Sequence, residues 1–187
     1  MRVATVEIKG LTPYSQSKAL QSEKKKEETH DDFDGRVWRE HIHHDEAGNV
    51  VIPATCIGLG LATSASYLGK TGELAKKGQA TWAENIRCGL AIAASPKIGK
   101  TVDDARPERV YSNADGKRGS GKRVWRTFPI FDTWSATMVI HILDDNIPEA
   151  IFLKVVEAFG LFNGIGRYRP QNGGYLGRFV VESCKIA

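Results

Sequence analysis

Apolar and polar residues alternate from the start of the chain. Ala4, Val6 and Ile8 interleave with Val3, Thr5 and Glu7, a period of two that predicts a strand in a half-buried sheet, ended by Gly10 and Pro13. From Ser15 to Asp34 apolar residues give way to Lys, Glu, Ser, Thr and Asp, which predicts a mobile loop that packs no core. Val37 to Ile52 reads as a hairpin turning at Asp45-Glu46-Ala47-Gly48-Asn49. After Pro53, Thr55 is placed as the cap of a helix with Ile57, Leu61 and Leu68 on one face. Gly58, Gly60 and Ala62 allow close packing there, and Gly69 is the stop.

The second half repeats the logic. Thr81 to Ala94 holds a buried strand around Gly89-Leu90-Ala91-Ile92-Ala93. Ser95 to Thr133 is a long insertion in which the arms 108–112 and 123–128 flank a turn-rich centre, a protruding basic hairpin. Trp134 to Leu143 returns to strand character. Asp144-Asp145-Asn146 supplies a turn and cap before a helix with Ile151, Val155, Ala158, Phe159 and Phe162 at helical spacing. Leu176 to Glu182 closes as a strand. The order strand, helix, strand, strand, helix, strand predicts an α+β fold with the split βαβ core of a ferredoxin-like, RRM-type domain. One domain over 1–187 is expected, carrying insertions at 15–49 and 97–132.

Composition changes this picture only locally. The 187 residues are 41% hydrophobic and 26% charged, ordinary for a globular chain. No apolar run reaches the roughly 18 residues of a membrane span, and Met1 to Glu7 has no signal-peptide core, so a cytoplasmic protein is expected. Cys56, Cys88 and Cys184 are odd in number and widely spaced, which reads as small buried hydrophobes and not a disulfide framework or zinc site. The net charge of +4 is uneven: residues 1–60 carry eight Lys/Arg against ten Asp/Glu, and 97–126 carry nine against four. The region 97–126 thus points to an anionic partner.

Two segments carry candidate chemistry. In Gly164 to Arg178, five glycines in fifteen residues let the backbone come close to a ligand. Gly164 and Gly166 open the loop; Arg167, Arg169 and Arg178 are placed to grip phosphates, Gln171 to hydrogen-bond, and Tyr168 and Tyr175 to stack on bases. The bland counterpart is a connector that only turns the chain. No Walker loop or dinucleotide fingerprint is present. In the hairpin, Lys117, Arg118, Lys122, Arg123 and Arg126 surround Trp125, basic residues for backbone phosphate with a ring for stacking, although a lone Trp is more often packed inward. His41 and His43, at i and i+2 of the expected strand, share a face and form a weak alternative metal pair with an upstream Asp.

Val51-Ile52-Pro53-Ala54-Thr55-Cys56-Ile57-Gly58-Leu59-Gly60-Leu61 resembles the segment entering the first helix of the RAMP superfamily, whose members include backbone subunits of CRISPR effector complexes. The 164–178 loop is similar to that superfamily's C-terminal glycine-rich loop. Leu59 stands after Gly58 where the family places a basic residue. The resemblance implies a modified RRM-like fold, with the insertions as web- or thumb-like hairpins, RNA-backbone binding and head-to-tail assembly into a filament or ribonucleoprotein of CRISPR-type antiviral defence. The chain's size also resembles small phage-encoded relatives, which implies single-stranded DNA binding or interference with a host complex. The expectation is a non-catalytic binder of single-stranded RNA or DNA that needs no cofactor. A protein-interaction module and a metal-dependent nuclease are the alternatives.

Overall fold

The alternation at the N-terminus becomes strand β1 (Arg2–Gly10), with Ala4, Val6 and Ile8 fully buried. A computed structural model describes residues 1–72, 74, 82–113 and 121–187. There follow β2 (Tyr14–Ser15), α1 (His30–Val37), a 3₁₀ turn (Trp38–His41), β3 (Asn49–Val51), α2 (Ala54–Lys70), α3 (Trp82–Gly89) and β4 (Leu90–Ile92). After these come β5 (Lys97–Thr101), β6 (Arg106–Asn113), β7 (Arg123–Phe131), β8 (Ser135–Ile142), α4 (Glu149–Ala158) and β9 (Phe179–Ile186).

The central four-stranded sheet runs β4-β8-β1-β9, every pair antiparallel. With α2 and α4 as crossovers, this is the βαββαβ order of a ferredoxin-like, RRM-type fold. The register pairs Ala4 with Ile140, Val6 with Met138 and Ile8 with Ala136, so one apolar face meets the helices. The helices answer with Ile57, Leu61, Ala65 and Leu68 from α2 and Phe152, Val155 and Val156 from α4. Each of these side chains larger than alanine contributes about 1.5–3 kcal/mol on burial. The other face presents Thr5, Glu7, Lys9, Thr137 and Val139, with no aromatic among them. The half-buried His141 is the one ring on this face among the described residues, where RRM sheets stack two or three bases on aromatic side chains.

Several expectations are corrected. Residues 37–43 are not a hairpin strand: α1 and the 3₁₀ turn occupy 30–41, and β3 pairs instead with β5. Thr29 caps α1 by accepting the Asp32 N–H, and Asp31 and Asp32 suit the positive helix start. The turn at 45–49 does form, because Asp45 Oδ1 accepts the N–H groups of Ala47 and Asn49. The segment 15–34 does pack: Ser15, Gln16 and Asp34 are buried, and Gln16 links Val51 O (2.8 Å) to the His43 N–H. Burial of Gln16 and Asp34 is tolerated because their polar groups find partners, whereas the buried Ser15 Oγ has no hydrogen-bond partner among the described residues.

Residues 82–89 are helical, with Ile86 and Gly89 buried, and only Leu90–Ile92 pair as a strand. Pro53 and Pro148, not Thr55 or Asn146, stand at the helix caps, and the last strand runs to Ile186. Cys56 and Cys88 are exposed and Cys184 is half-buried, against the buried role expected. His41 and His43 do not alternate on a strand. His41 is buried with its Nδ1 2.7 Å from Lys18 O, while the His43 backbone is bonded to Gln16 and Val51.

The contact between α2 and α4 turns on Gly60. A Cβ there would lie 2.1 Å from the Phe159 ring, whereas one on Gly58 would meet nothing within 4 Å. Gly60→Ala should therefore cost about 1–3 kcal/mol through overpacking, and Gly58→Ala should stabilise by up to about 1 kcal/mol through helix propensity. Urea unfolding of the pair checks the opposite signs. Burial, aided by the Lys18 and His44 charges, holds His43 below its ordinary 6.5. The unfolded chain then takes up a proton first as pH falls below that value, so stability is lost toward acid. Thermal melts between about pH 7.5 and 5.5 should show Tm falling, with a flatter slope in His43→Gln; parallel slopes would refute the assignment.

Candidate nucleic-acid interface

The long hairpin forms because β6 and β7 pair in register over Arg106–Asn113, matching Tyr111 with Trp125 and Asn113 with Arg123. Alternation puts Arg109, Tyr111, Arg123 and Trp125 on one exposed face. Trp125 is 47% exposed, contrary to the inward packing usual for a lone Trp. Its ring centre lies 5.1 Å from that of Tyr111 and 5.0 Å from the Arg109 guanidinium. Lys122 and Arg123 are exposed and Arg126 is half-buried. Lys117 and Arg118 lie outside the described residues.

The hairpin base is fixed by α1. Buried Asp34 accepts the Thr127 N–H, and Asp31 pairs with Arg109. On the inner face, the buried Phe128 ring stacks on His41 at 4.9 Å and carries the Arg167 guanidinium 3.6 Å from its centre. That contact joins the hairpin to the glycine-rich loop. Burial lowers the Arg167 pKa, partly offset by the Glu108 carboxylate.

The loop begins where α4 passes into a π-helical turn (Phe159–Asn163) and holds a short 3₁₀ turn at Pro170–Asn172. Its glycines serve the protein's own backbone. Gly166 and Gly177 have φ of 82° and 73°, and a Cβ would sit 2.3 Å from Ser15 O and 1.8 Å from Ile165 O, respectively. Gly164 is buried beside Pro170. Close approach is thus required within the fold, while the polar groups of the loop point outward. Tyr168, Tyr175 and Gln171 are exposed, and the two tyrosine rings stand edge to face at 6.2 Å.

The arginines are held by neutral groups. Arg169 Nε donates to Gln171 Oε1 (3.0 Å) and its Nη1 to Gly166 O (3.3 Å). Arg178 Nε donates to Leu161 O (3.0 Å). Elsewhere arginines meet carboxylates, as in Arg106–Asp132 and Arg36–Glu28. Among the described residues Arg167, Arg169 and Arg178 form no ion pair, so their charge is available to an anion. Between loop and hairpin lies a cleft of about 710 Å³, bounded by Tyr111, Arg123, Arg167, Tyr168 and Gln171, with no Asp or Glu among the described residues of its wall.

Tyr111 and Arg109 are parts of this surface that the sequence reading passed over. Continuing the hairpin register outward from β7 would have placed Tyr111 opposite Trp125. Among the described residues, no three His, Cys, Asp or Glu side chains converge on a metal-sized site around His41 and His43 or elsewhere. No described helix is long and apolar enough to cross a membrane.

No protein-family model and no curated protein matches the sequence. The structure is similar to a chain in the cryo-EM structure of the Type III-B Cmr-beta bound to cognate target RNA, with a TM-score of 0.59 and 14% identity. The match covers 99% of this chain and 60% of that one. At this level of identity the likeness shows a shared fold, laid over nearly all of this chain and somewhat more than half of the other.

Proposed function

We propose that this protein binds single-stranded RNA along the cleft between the hairpin and the glycine-rich loop, as a non-catalytic subunit of a CRISPR-type ribonucleoprotein. One observation carries the reading: Arg167, Arg169 and Arg178 are positioned by ring and amide contacts and not by carboxylates. Phosphates supply the direct counter-charge that Arg169 and Arg178 lack among the described residues. Exposed rings stand on both sides, Tyr111 and Trp125 on the hairpin and Tyr168 and Tyr175 on the loop. They suit bases splayed from a strand and not a stacked duplex. The sheet face, with the half-buried His141 as its one ring among the described residues, argues that the strand does not lie there. The Cmr-beta neighbour, named as bound to target RNA, supports RNA over DNA and a multisubunit setting. Head-to-tail repetition of the chain along the strand is part of the same proposal.

Fluorescence anisotropy with a labelled single-stranded RNA tests this across about 50–200 mM salt. The logarithm of affinity should fall with the logarithm of salt, and Arg169→Ala or Arg178→Ala should reduce the slope by about 0.7 each. Wild-type slopes in both variants would overturn the phosphate assignment. Trp125→Ala and Tyr111→Ala should weaken binding by about 1–3 kcal/mol per lost base stack while leaving the slope unchanged. A duplex of the same sequence binding as tightly as the single strand would contradict the role of the rings.

A further inference from the structure

Beyond the cleft, a second cavity of about 500 Å³ opens between α2 and the π-helical turn. Gly164 N donates to Phe159 O at 2.7 Å, the wide ring of a π turn. The turn leaves Phe159 buried in the core, while Phe162 is 51% exposed. Opposite it, Tyr67 of α2 is 43% exposed. The two rings lie 5.4 Å apart at 40°. Two large rings left in water at the lip of a cavity contribute little to the core, so the fold does not account for them.

The remaining wall is chemically one-sided. Lys70, from the last turn of α2, and Arg178 supply cations, Asn163 and Gln171 supply amides, and no Asp or Glu is present among the described residues of the wall. Arg178 is tethered at the rim through its bond to Leu161 O. A protein partner would need apolar side chains to fill such a space; flat rings beside two cations complement a planar, anionic group. Gln171 borders this cavity, the hairpin cleft and a small depression between them lined by Thr63 and Arg169. The three form one track across the loop.

We infer that this cavity holds one nucleobase of the bound strand together with its phosphate. The base stacks on Phe162 and Tyr67, its edge meets the Asn163 and Gln171 amides, and the phosphate lies against Lys70 and Arg178. The inference rests on the strand-binding reading and extends it: the strand continues past the loop, and the amides give the pocket a means of preferring one base.

Photo-crosslinking and anisotropy with a single-stranded RNA carrying 4-thiouridine at successive positions test it. One position should crosslink to the peptide containing Tyr67 or Phe162. Phe162→Ala and Tyr67→Ala should each weaken binding roughly 5- to 150-fold with the salt slope unchanged, while Lys70→Ala should reduce that slope. Both rings are exposed, and thermal melts confirm that the variants fold. If wild type binds RNA but the Tyr67→Ala/Phe162→Ala double variant binds equally well and no crosslink reaches either peptide, the pocket is refuted and the cleft stands. Self-association lost in Phe162→Ala without change in RNA affinity would assign the rings to a protein contact and equally refute it. If wild type binds no RNA even at low salt, both readings fall.

Discussion

Phe159 sits where α2, α4 and β9 meet, and the placement of the loop follows from it. Its ring lies over Gly60, where no side chain intervenes, and meets Phe179 edge to face at 5.2 Å. Gly160, next along, comes so close to the Phe179 carbonyl that a Cβ would lie 2.2 Å from it. The end of α4 is thus wedged between a helix and a strand. Asn163 adds a bond to Gly60 O at 3.1 Å, so the point from which the glycine-rich loop departs is fixed by packing and a buried hydrogen bond together. Arg167, Arg169 and Arg178 are spaced from that fixed point.

A second anchor lies on the far side of the cleft. The hairpin has only two long strands, with the short β2 pairing at its base, and a ribbon of that kind is marginal alone. It is stiffened by α1, whose Asp34 and Asp31 reach β7 and β6, and by the Phe128 ring against His41. The segment richest in charge early in the sequence is therefore a brace. Two of its carboxylates, Asp34 and Asp31, are committed to the hairpin strands.

The parts of the fold that could be read in advance were those where one periodicity ran long enough to be unambiguous. The alternation of β1 and β8 and the helical spacing of Val155, Ala158 and Phe159 are of that sort. α1 has eight residues and only two apolar side chains, Phe33 and Val37, too few for a helical period to stand out, and Val37 runs on into Trp38 as a strand would. The usable signal was Thr29 with Asp32 three residues on, a cap written in polar residues. Gly89, the last residue of α3, reads as strand because it is continuous with the apolar run Leu90–Ile92. At the site, glycine and arginine could be counted, but composition cannot distinguish a glycine that faces a ligand from one that, like Gly177, faces the protein's own carbonyl. Nor could it show that Tyr67 and Phe162, 95 residues apart, would meet.

The tethers on Arg169 and Arg178 have a thermodynamic meaning. A free arginine on a surface samples many rotamers, and freezing one against an incoming anion costs about 0.5–1.5 kcal/mol. Here the Nε of each is already committed, to Gln171 in one case and to the Leu161 carbonyl in the other. That entropy is surrendered during folding, when the loop closes, and not at the encounter. An anion arriving at this surface meets guanidinium groups already set in place, so more of the contact energy is retained as affinity.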